Sequence, residues 1–262
     1  MHSCLCGHAM NSVEEMVQAV YEMGLAGAVF TEHLPLPKAL DQDRTVSMHR
    51  EDLPIYIEEL KSLRGRRGYV DITIGAECDW LTNDPTWAEQ ACQLARAMGA
   101  ECILGSVHML DGWAFDNPDE MDQWEIRDVE DVWADYTEHW IRATTSGLFD
   151  VMAHPDLPKK FGHVPRDARE YFEPAAVAAA DAGVLCEIST AGLRKPIGEL
   201  YPSADFIREL KLRGVEFTLA SDAHSVQEVG FAFQETADVA RGLGIERFAF
   251  PQPDGGIKWL QL

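Results

Sequence analysis

Five short apolar runs in this chain each end in a histidine or a carboxylate, and that recurrence constrains the fold more than any other feature. Ala26–Thr31 leads into Thr31-Glu32-His33, Asp71–Ala76 into Glu77, and Glu101–Val107 into His108. Phe149–Ala153 leads into His154-Pro155-Asp156, and Glu216–Ser221 into Asp222-Ala223-His224. A sixth run, Val184–Ser189, carries no such residue at its end. Apolar runs of this length, bounded by turns or a charge, read as buried strands. Helical stretches near 50–63, 86–98, 128–145, 171–182 and 203–213 separate them, and a last helix near 232–243 precedes a final extended piece, Arg247–Phe250. Upstream, Ser12 and Glu15 form an S-x-x-E capping box that opens a helix with Val13, Met16, Val17 and Val20 on one face. Strands alternating with helices predict parallel strands joined by right-handed crossovers, hence an open α/β sheet or a barrel. With 262 residues and no internal repeat, low-complexity tract or linker, the chain is expected to be one domain over 1–262.

In parallel α/β barrels the C-terminal strand ends converge on one mouth. His33, Glu77, His108, His154, Asp222 and His224 would therefore meet there. The opening residues Met1-His2-Ser3-Cys4-Leu5-Cys6-Gly7-His8 add His2 and His8 in a glycine-containing turn before the first helix. Six of the nine histidines thus join one proposed cluster. His139, within a helical pattern, and His49, at a polar helix start, are read as structural. Packing several imidazoles and carboxylates into one pocket costs desolvation unless cations compensate, so the pattern predicts a metal centre. Mixed nitrogen and oxygen donors suit zinc, iron or manganese.

A net charge of −22 disfavours nucleic acid as a partner, because phosphate contacts need a basic surface. It does not exclude a phosphate ester, since a cluster of divalent cations inverts the local field. The six cysteines form no CxxC pair and follow no secretory segment, which fits reduced thiols and a cytoplasmic location. No apolar run approaches the roughly 18 residues of a membrane helix, so no membrane association is expected.

These residues resemble the PHP (polymerase and histidinol phosphatase) superfamily, and most closely its histidinol-phosphate phosphatase branch. The resemblance spans essentially the whole chain. It rests on Cys6-Gly7-His8-Ala9, Thr31-Glu32-His33, Gly105-Ser106-Val107-His108, Ala153-His154-Pro155-Asp156, Ser221-Asp222-Ala223-His224 and Ser189-Thr190-Ala191-Gly192-Leu193-Arg194-Lys195-Pro196. It implies a distorted TIM-like (β/α)7 barrel and three divalent metal ions held by His2, His8, His33, Glu77, His108, His154, Asp222 and His224. In the implied grouping, His2, Glu77 and Asp222 hold one ion, His8, His33 and His224 a second, and Glu77, His108 and His154 a third. Glu77, Asp222 and His224 would be the residues closest to the chemistry, with Glu77 bridging two ions.

Arg194 is expected to bind phosphate, with Lys195 and His163 as further substrate contacts. Lys159 and Lys160 share the His163 loop, and Asp111 and Asp116 flank a segment that could cover the mouth as a lid. The family pattern opens with a strand ending in His-x-His, of which this chain has only the second histidine, His2. We expect the natural start to lie upstream, and restoring that strand to raise metal occupancy and melting temperature. The implied activity is hydrolysis of L-histidinol phosphate, a small-molecule phosphate ester, to L-histidinol and phosphate. The alternatives are another PHP phosphoesterase acting on nucleotides or oligonucleotides, and a non-catalytic metal-binding protein. Oligomeric state is not legible.

Overall fold

The strand–helix rhythm is realised in a computed structural model that describes residues 1–66 and 70–262. A 3-10 turn at Cys4–Cys6 precedes α1 (Val13–Glu22), β1 (Gly27–His33), α2 (Leu53–Leu63), β2 (Asp71–Asp79) and α3 (Pro85–Met98). Next come β3 (Cys102–Ser106), the two-residue strands β4 (Met109–Leu110) and β5 (Trp113–Ala114), α4 (Val129–Thr144) and β6 (Val151–Met152). The chain ends with α5 (Arg169–Ala182), β7 (Leu185–Ser189), α6 (Ala204–Leu212), β8 (Phe217–Ala220), α7 (Phe233–Gly242), β9 (Arg247–Pro251) and β10 (Ile257–Gln261).

Six strands pair in the order β1-β2-β3-β6-β7-β8, every pair parallel. They form a curled half-barrel of the TIM-like kind, with one strand fewer than the (β/α)7 pattern. Register brings the functional ends level: His33 lies opposite Glu77 on the neighbouring strand. At the two outer strands, the first residues of the chain span the opening. Thr31 N–H donates to the Met1 carbonyl (3.0 Å), and His2 N–H donates to the carbonyl of Ala223, just past β8 (2.9 Å). His2 is thereby fixed between the first and last strands of the sheet.

Alternation along each strand sorts its side chains onto two faces. Phe30, Ile72, Ile74, Ile103, Met152, Cys186, Ile188 and Phe217 belong to the large core shared with the helices. Cys102, Leu104, Val151, Ala153 and Leu185 point to the other side, where Ala249 of the antiparallel β9–β10 hairpin packs on them. Burial on both faces is why these strands read as continuous apolar runs. Both halves of the α1 capping box form: Glu15 N–H donates to Ser12 Oγ (3.3 Å) and Ser12 N–H to the Glu15 carboxylate (2.8 Å). Val13, Met16, Val17 and Val20 are buried, as the spacing predicts. All six cysteines are free, and no helix among the described residues is long and apolar enough to cross a membrane.

Candidate metal centre and active site

Each metal-site candidate sits where a regular element gives way to a turn. Glu77 lies near the end of β2 and His33 ends β1. His108 and His154 directly follow β3 and β6, and Asp222 and His224 follow β8. Two of these residues have left-handed backbone, His154 at φ 25° and Asp222 at φ 47°. Such conformations cost on the order of 1–3 kcal/mol each outside glycine and persist where the surroundings over-determine them. His8 is presented differently, by a turn whose pivot is Gly7 at φ 84°. A Cβ at Gly7 would lie 2.6 Å from the Arg44 carbonyl oxygen, so no other residue fits there without displacement.

The eight side chains converge. His2 Nε2 lies 3.1 Å from Asp222 Oδ1 and 3.5 Å from Glu77 Oε2. On the other side of Glu77, Oε1 is 3.3 Å from His154 Nε2 and 3.6 Å from His108 Nε2, and those two nitrogens are 3.3 Å apart. The His2 ring stacks on both His33 and His224, at centroid distances of 4.2 and 4.3 Å, and those two rings lie 6.1 Å apart. His8 is exposed, with its ring 4.6 Å from that of His224 and 5.4 Å from that of His33.

Among the described residues four compact sets of donor atoms result: His2–Glu77–Asp222, Glu77–His108–His154, His2–His33–His224 and Cys6–His8–His224. The first two match groupings implied by the family resemblance. The third expected grouping of His8, His33 and His224 is spread over two overlapping sets, which share His224 and bring in His2 and Cys6.

Electrostatics polarise the cluster. Burial opposes ionisation of Glu77, but the charges of His33 and His154 and the hydrogen bond from His154 hold its carboxyl well below the usual range. Asp222 is likewise held well below, burial being outweighed by His224 and His2. Burial and the neighbouring His2 push His224 down to about 3 and lower His33 and His8 as well. Burial and the N-terminal charge would lower His2, yet the nearby carboxylates of Asp222, 3.1 Å from Nε2, and Glu32, 3.5 Å from Nδ1, prevail and raise it to about 9. His108 is raised to about 10 against its burial, chiefly by Asp79.

The donor chemistry fits divalent metal. Ionised buried carboxylates face imidazoles crowded against one another, three of them lowered (His8, His33, His224) and three raised by their carboxylate neighbours (His2, His108, His154), and two ring nitrogens point at each other and at one carboxylate oxygen. The buried nitrogens His2 Nδ1, His154 Nδ1 and His224 Nε2 have no hydrogen-bond partner among the described residues. Unpaired polar groups of this kind are costly in a protein interior unless something else satisfies them.

A cavity of about 610 Å3 opens over the cluster. Lys195 lines it, as do Lys160, Asp116, Tyr201 and Glu228. Arg194 is not among its lining residues but is tied to the loop that carries Asp222. Its Nη2 donates to the carbonyls of Ser221 (2.8 Å) and Asp222 (3.2 Å), and its Nε to Glu228 Oε1 (3.1 Å), while Nη1 is buried without a partner. His163 is turned away from the cavity. Its ring stacks on Trp124 at 4.1 Å and its carbonyl accepts from Trp133 Nε1. Lys159 is buried against Asp156 and the Leu200 carbonyl. Of the expected lid, Trp113 and Phe115 are core residues, Asp116 is pinned by Lys160 (3.0 Å), and Asp111 bonds Thr82.

Three contributors were not singled out in the sequence. Glu228 accepts from His224 N–H (2.8 Å) as well as from Arg194, bracing the Asp-x-His turn. Tyr201 brings a buried hydroxyl with no partner among the described residues to the cavity wall. Asp79 lies 2.7 Å from His108 Nδ1. Of the three, only Asp79 could have been picked out, because it stands two residues beyond Glu77 on the same face of a strand.

A half-barrel of this topology with a histidine–carboxylate cluster at its strand ends defines a class, and comparison with known proteins gives that class its family. The PHP domain family matches residues 1–191, and the chain belongs to it. Among curated proteins the chain is 37% identical to the probable histidinol-phosphatase of Deinococcus radiodurans over 245 residues, covering 93% of this chain and 92% of that one. It is 26% identical to the probable histidinol-phosphatase of Schizosaccharomyces pombe over 278 residues, 95% of this chain and 88% of that one. The fold is that of the Lactococcus lactis histidinol phosphate phosphatase solved with zinc, L-histidinol and phosphate, with a TM-score of 0.78 at 19% identity, covering 98% of this chain and 97% of that one.

Proposed function

We propose that the chain is a metal-dependent histidinol-phosphatase that hydrolyses L-histidinol phosphate to L-histidinol and phosphate. The observation that carries this reading is the convergence of Glu77 with His2, His108, His154 and Asp222 beneath a cavity with basic residues in its wall. The names of its relatives narrow the phosphoesterase class to this substrate. We take residues 1–262 as a single domain, because Asp222 and His224, beyond the matched family segment, complete the same cluster.

His2, Glu77 and Asp222 would hold one divalent ion and Glu77, His108 and His154 another. His8, His33 and His224, with His2 and Cys6 adjacent, would hold a third. Bound divalent ions supply a water of lowered pKa and offset the charge that builds on the phosphoryl oxygens. Glu77 keeps its two oxygens directed at different histidines, so one side chain holds the two halves of the centre together. Arg194 Nη1 is the guanidinium group left for a phosphoryl oxygen, and Lys195 adds positive charge on the cavity wall. The ion pair between Lys160 and Asp116 keeps the segment after β5 against the mouth and narrows water access.

The test is phosphate release from L-histidinol phosphate, with metal content measured on the same sample and mononucleotides and short RNA as competing substrates. Release from histidinol phosphate at a kcat/KM well above that for nucleotides is the expected result. A metal-loaded protein that prefers a nucleotide would transfer the site to another PHP phosphoesterase. A metal-loaded protein with no turnover on any substrate would make it a binding protein.

A further inference from the structure

We infer that Asp79 is a positioning residue for the metal centre: its carboxylate fixes the ring orientation and tautomer of His108, so that Nε2 faces the ion shared with Glu77 and His154. The inference rests on the metal-centre reading above and concerns a residue outside the ligand set.

Asp79 ends β2 two residues beyond Glu77, so both side chains leave the same face of one strand. Its carboxylate is nearly buried, and Oδ1 lies 2.7 Å from His108 Nδ1. A carboxylate offers only lone pairs, so the hydrogen of a neutral imidazole in this contact sits on Nδ1 and the free lone pair on Nε2. That nitrogen is the one facing Glu77 Oε1 and His154 Nε2, at 3.6 and 3.3 Å. His108 lies just past the end of β3, where no strand pairing holds its backbone, and Asp79 is what orients the ring.

The other candidate ligands are held differently. The rings of His8 and His224 place Nδ1 3.2 and 3.1 Å from the backbone carbonyls of Cys6 and Asp222, which are neutral acceptors. His2 Nδ1 stands 3.5 Å from Glu32, beyond a good hydrogen bond, and His154 Nδ1 has no partner among the described residues. His33 Nδ1 faces Glu77 at 4.0 Å, beyond hydrogen-bond distance, so among the described contacts His108 is the ligand whose remote nitrogen is hydrogen-bonded to a charged carboxylate. Such a partner both locks the ring and makes the ligating nitrogen a stronger donor, and its loss typically weakens metal binding about 10–100-fold. Because β2 supplies Glu77 as well as Asp79, one strand sets both a ligand and the orientation of its neighbour. The effect should be local to the Glu77–His108–His154 ion.

The experiment compares wild type with Asp79→Asn, which keeps an acceptor oxygen but no charge, and Asp79→Leu, which keeps approximate volume but neither. Zinc affinity is measured by competition with a chromophoric chelator. The histidine tautomers of the zinc-loaded protein are read by long-range proton–nitrogen correlation on histidine-labelled samples. One zinc should bind about 10–100-fold more weakly in Asp79→Asn and be lost in Asp79→Leu, with the remaining zinc unchanged. The His108 Nδ1–H signature should persist in wild type and weaken in the variants, a change that loss of packing alone would not produce. Wild-type affinity in Asp79→Asn with an unaltered His108 signal would overturn the inference, whether or not the leucine variant folds. A wild type that binds no zinc would instead overturn the metal-centre reading, and this inference with it.

Discussion

Glu77 is buried at the end of β2 with four histidines and no lysine or arginine hydrogen-bonded to its carboxylate among the described residues, an arrangement that a protein interior tolerates when a cation sits between the parties. Glu77, His2 and His224 each belong to two of the four donor sets, and Glu77 is the carboxylate among them, with its two oxygens facing different histidines, so Glu77→Ala should be the most damaging single change. We expect loss of at least one bound ion per chain and a fall in kcat/KM on the order of a thousandfold, several kcal/mol of transition-state stabilisation. Metal analysis and a phosphate-release assay on one preparation check both. Arg194 has two tasks that separate experimentally. Its Nη2 and Nε brace the Ser221–Asp222 carbonyls and Glu228, whereas Nη1 is buried with no partner among the described residues and is the nitrogen proposed for phosphate. Arg194→Lys, which cannot reproduce a planar fork, should lower kcat/KM roughly 10- to 100-fold. Unchanged metal content in that variant would assign the loss to phosphate binding, and reduced content would assign it to bracing of Asp222.

Elements act here mainly as brackets for side chains. The turn that presents His8 works because Gly7 takes φ 84° against the Arg44 carbonyl. Gly7→Ala meets both a strained conformation and a clash, and should cost on the order of 1–3 kcal/mol with a matching loss of metal occupancy, seen as a lower denaturant midpoint and reduced metal content. The next element, α1, offers a pH-dependent test. The capping hydrogen bonds from the Ser12 backbone and side chain lower the Glu15 carboxyl from its usual value. A depressed carboxyl stabilises the fold above its unfolded pKa, and that contribution is lost as pH falls through the folded value. Ser12→Ala, which removes the N-cap oxygen, should therefore lower stability at neutral pH. The gap between variant and wild type should shrink in acid, because part of the box has already been lost in both. Urea midpoints at neutral pH and at mildly acidic pH would show it.

For the whole molecule, the cluster joins the ends of β1, β2, β3, β6 and β8 with the chain's first residues. Binding metal is therefore binding the folded arrangement of the entire half-barrel. A chelator should lower the melting temperature, and zinc in excess should restore it. Ligand at a hundred times its dissociation constant adds about 2.7 kcal/mol, or roughly 5–10 °C for a chain of this size. A melting curve indifferent to chelation would mean that the residues meet without holding metal.

The sequence by itself determined the alternation of strands and helices, because burial on both sheet faces leaves unbroken apolar runs and amphipathic helices leave a 3.6-residue period. It also located His33, Glu77, His108, His154, Asp222 and His224, since each interrupts an apolar run at the point where parallel strands open onto a common edge. Tertiary structure alone decided which of them meet. His8, His33 and His224 were expected as one group, and the structure adds two further donors beside them: the His2 ring stacks on both His33 and His224, and Cys6 joins His8 and His224. Pattern reading could not foresee that His163 stacks on Trp124, that Arg194 spends one nitrogen on the Asp222 turn and another on Glu228, or that Glu228 braces the Asp-x-His turn. A charged residue beyond a strand end looks the same in sequence whether it is solvated or buried. What separates the two is the angle at which distant loops return, and that is fixed only when the sheet curls.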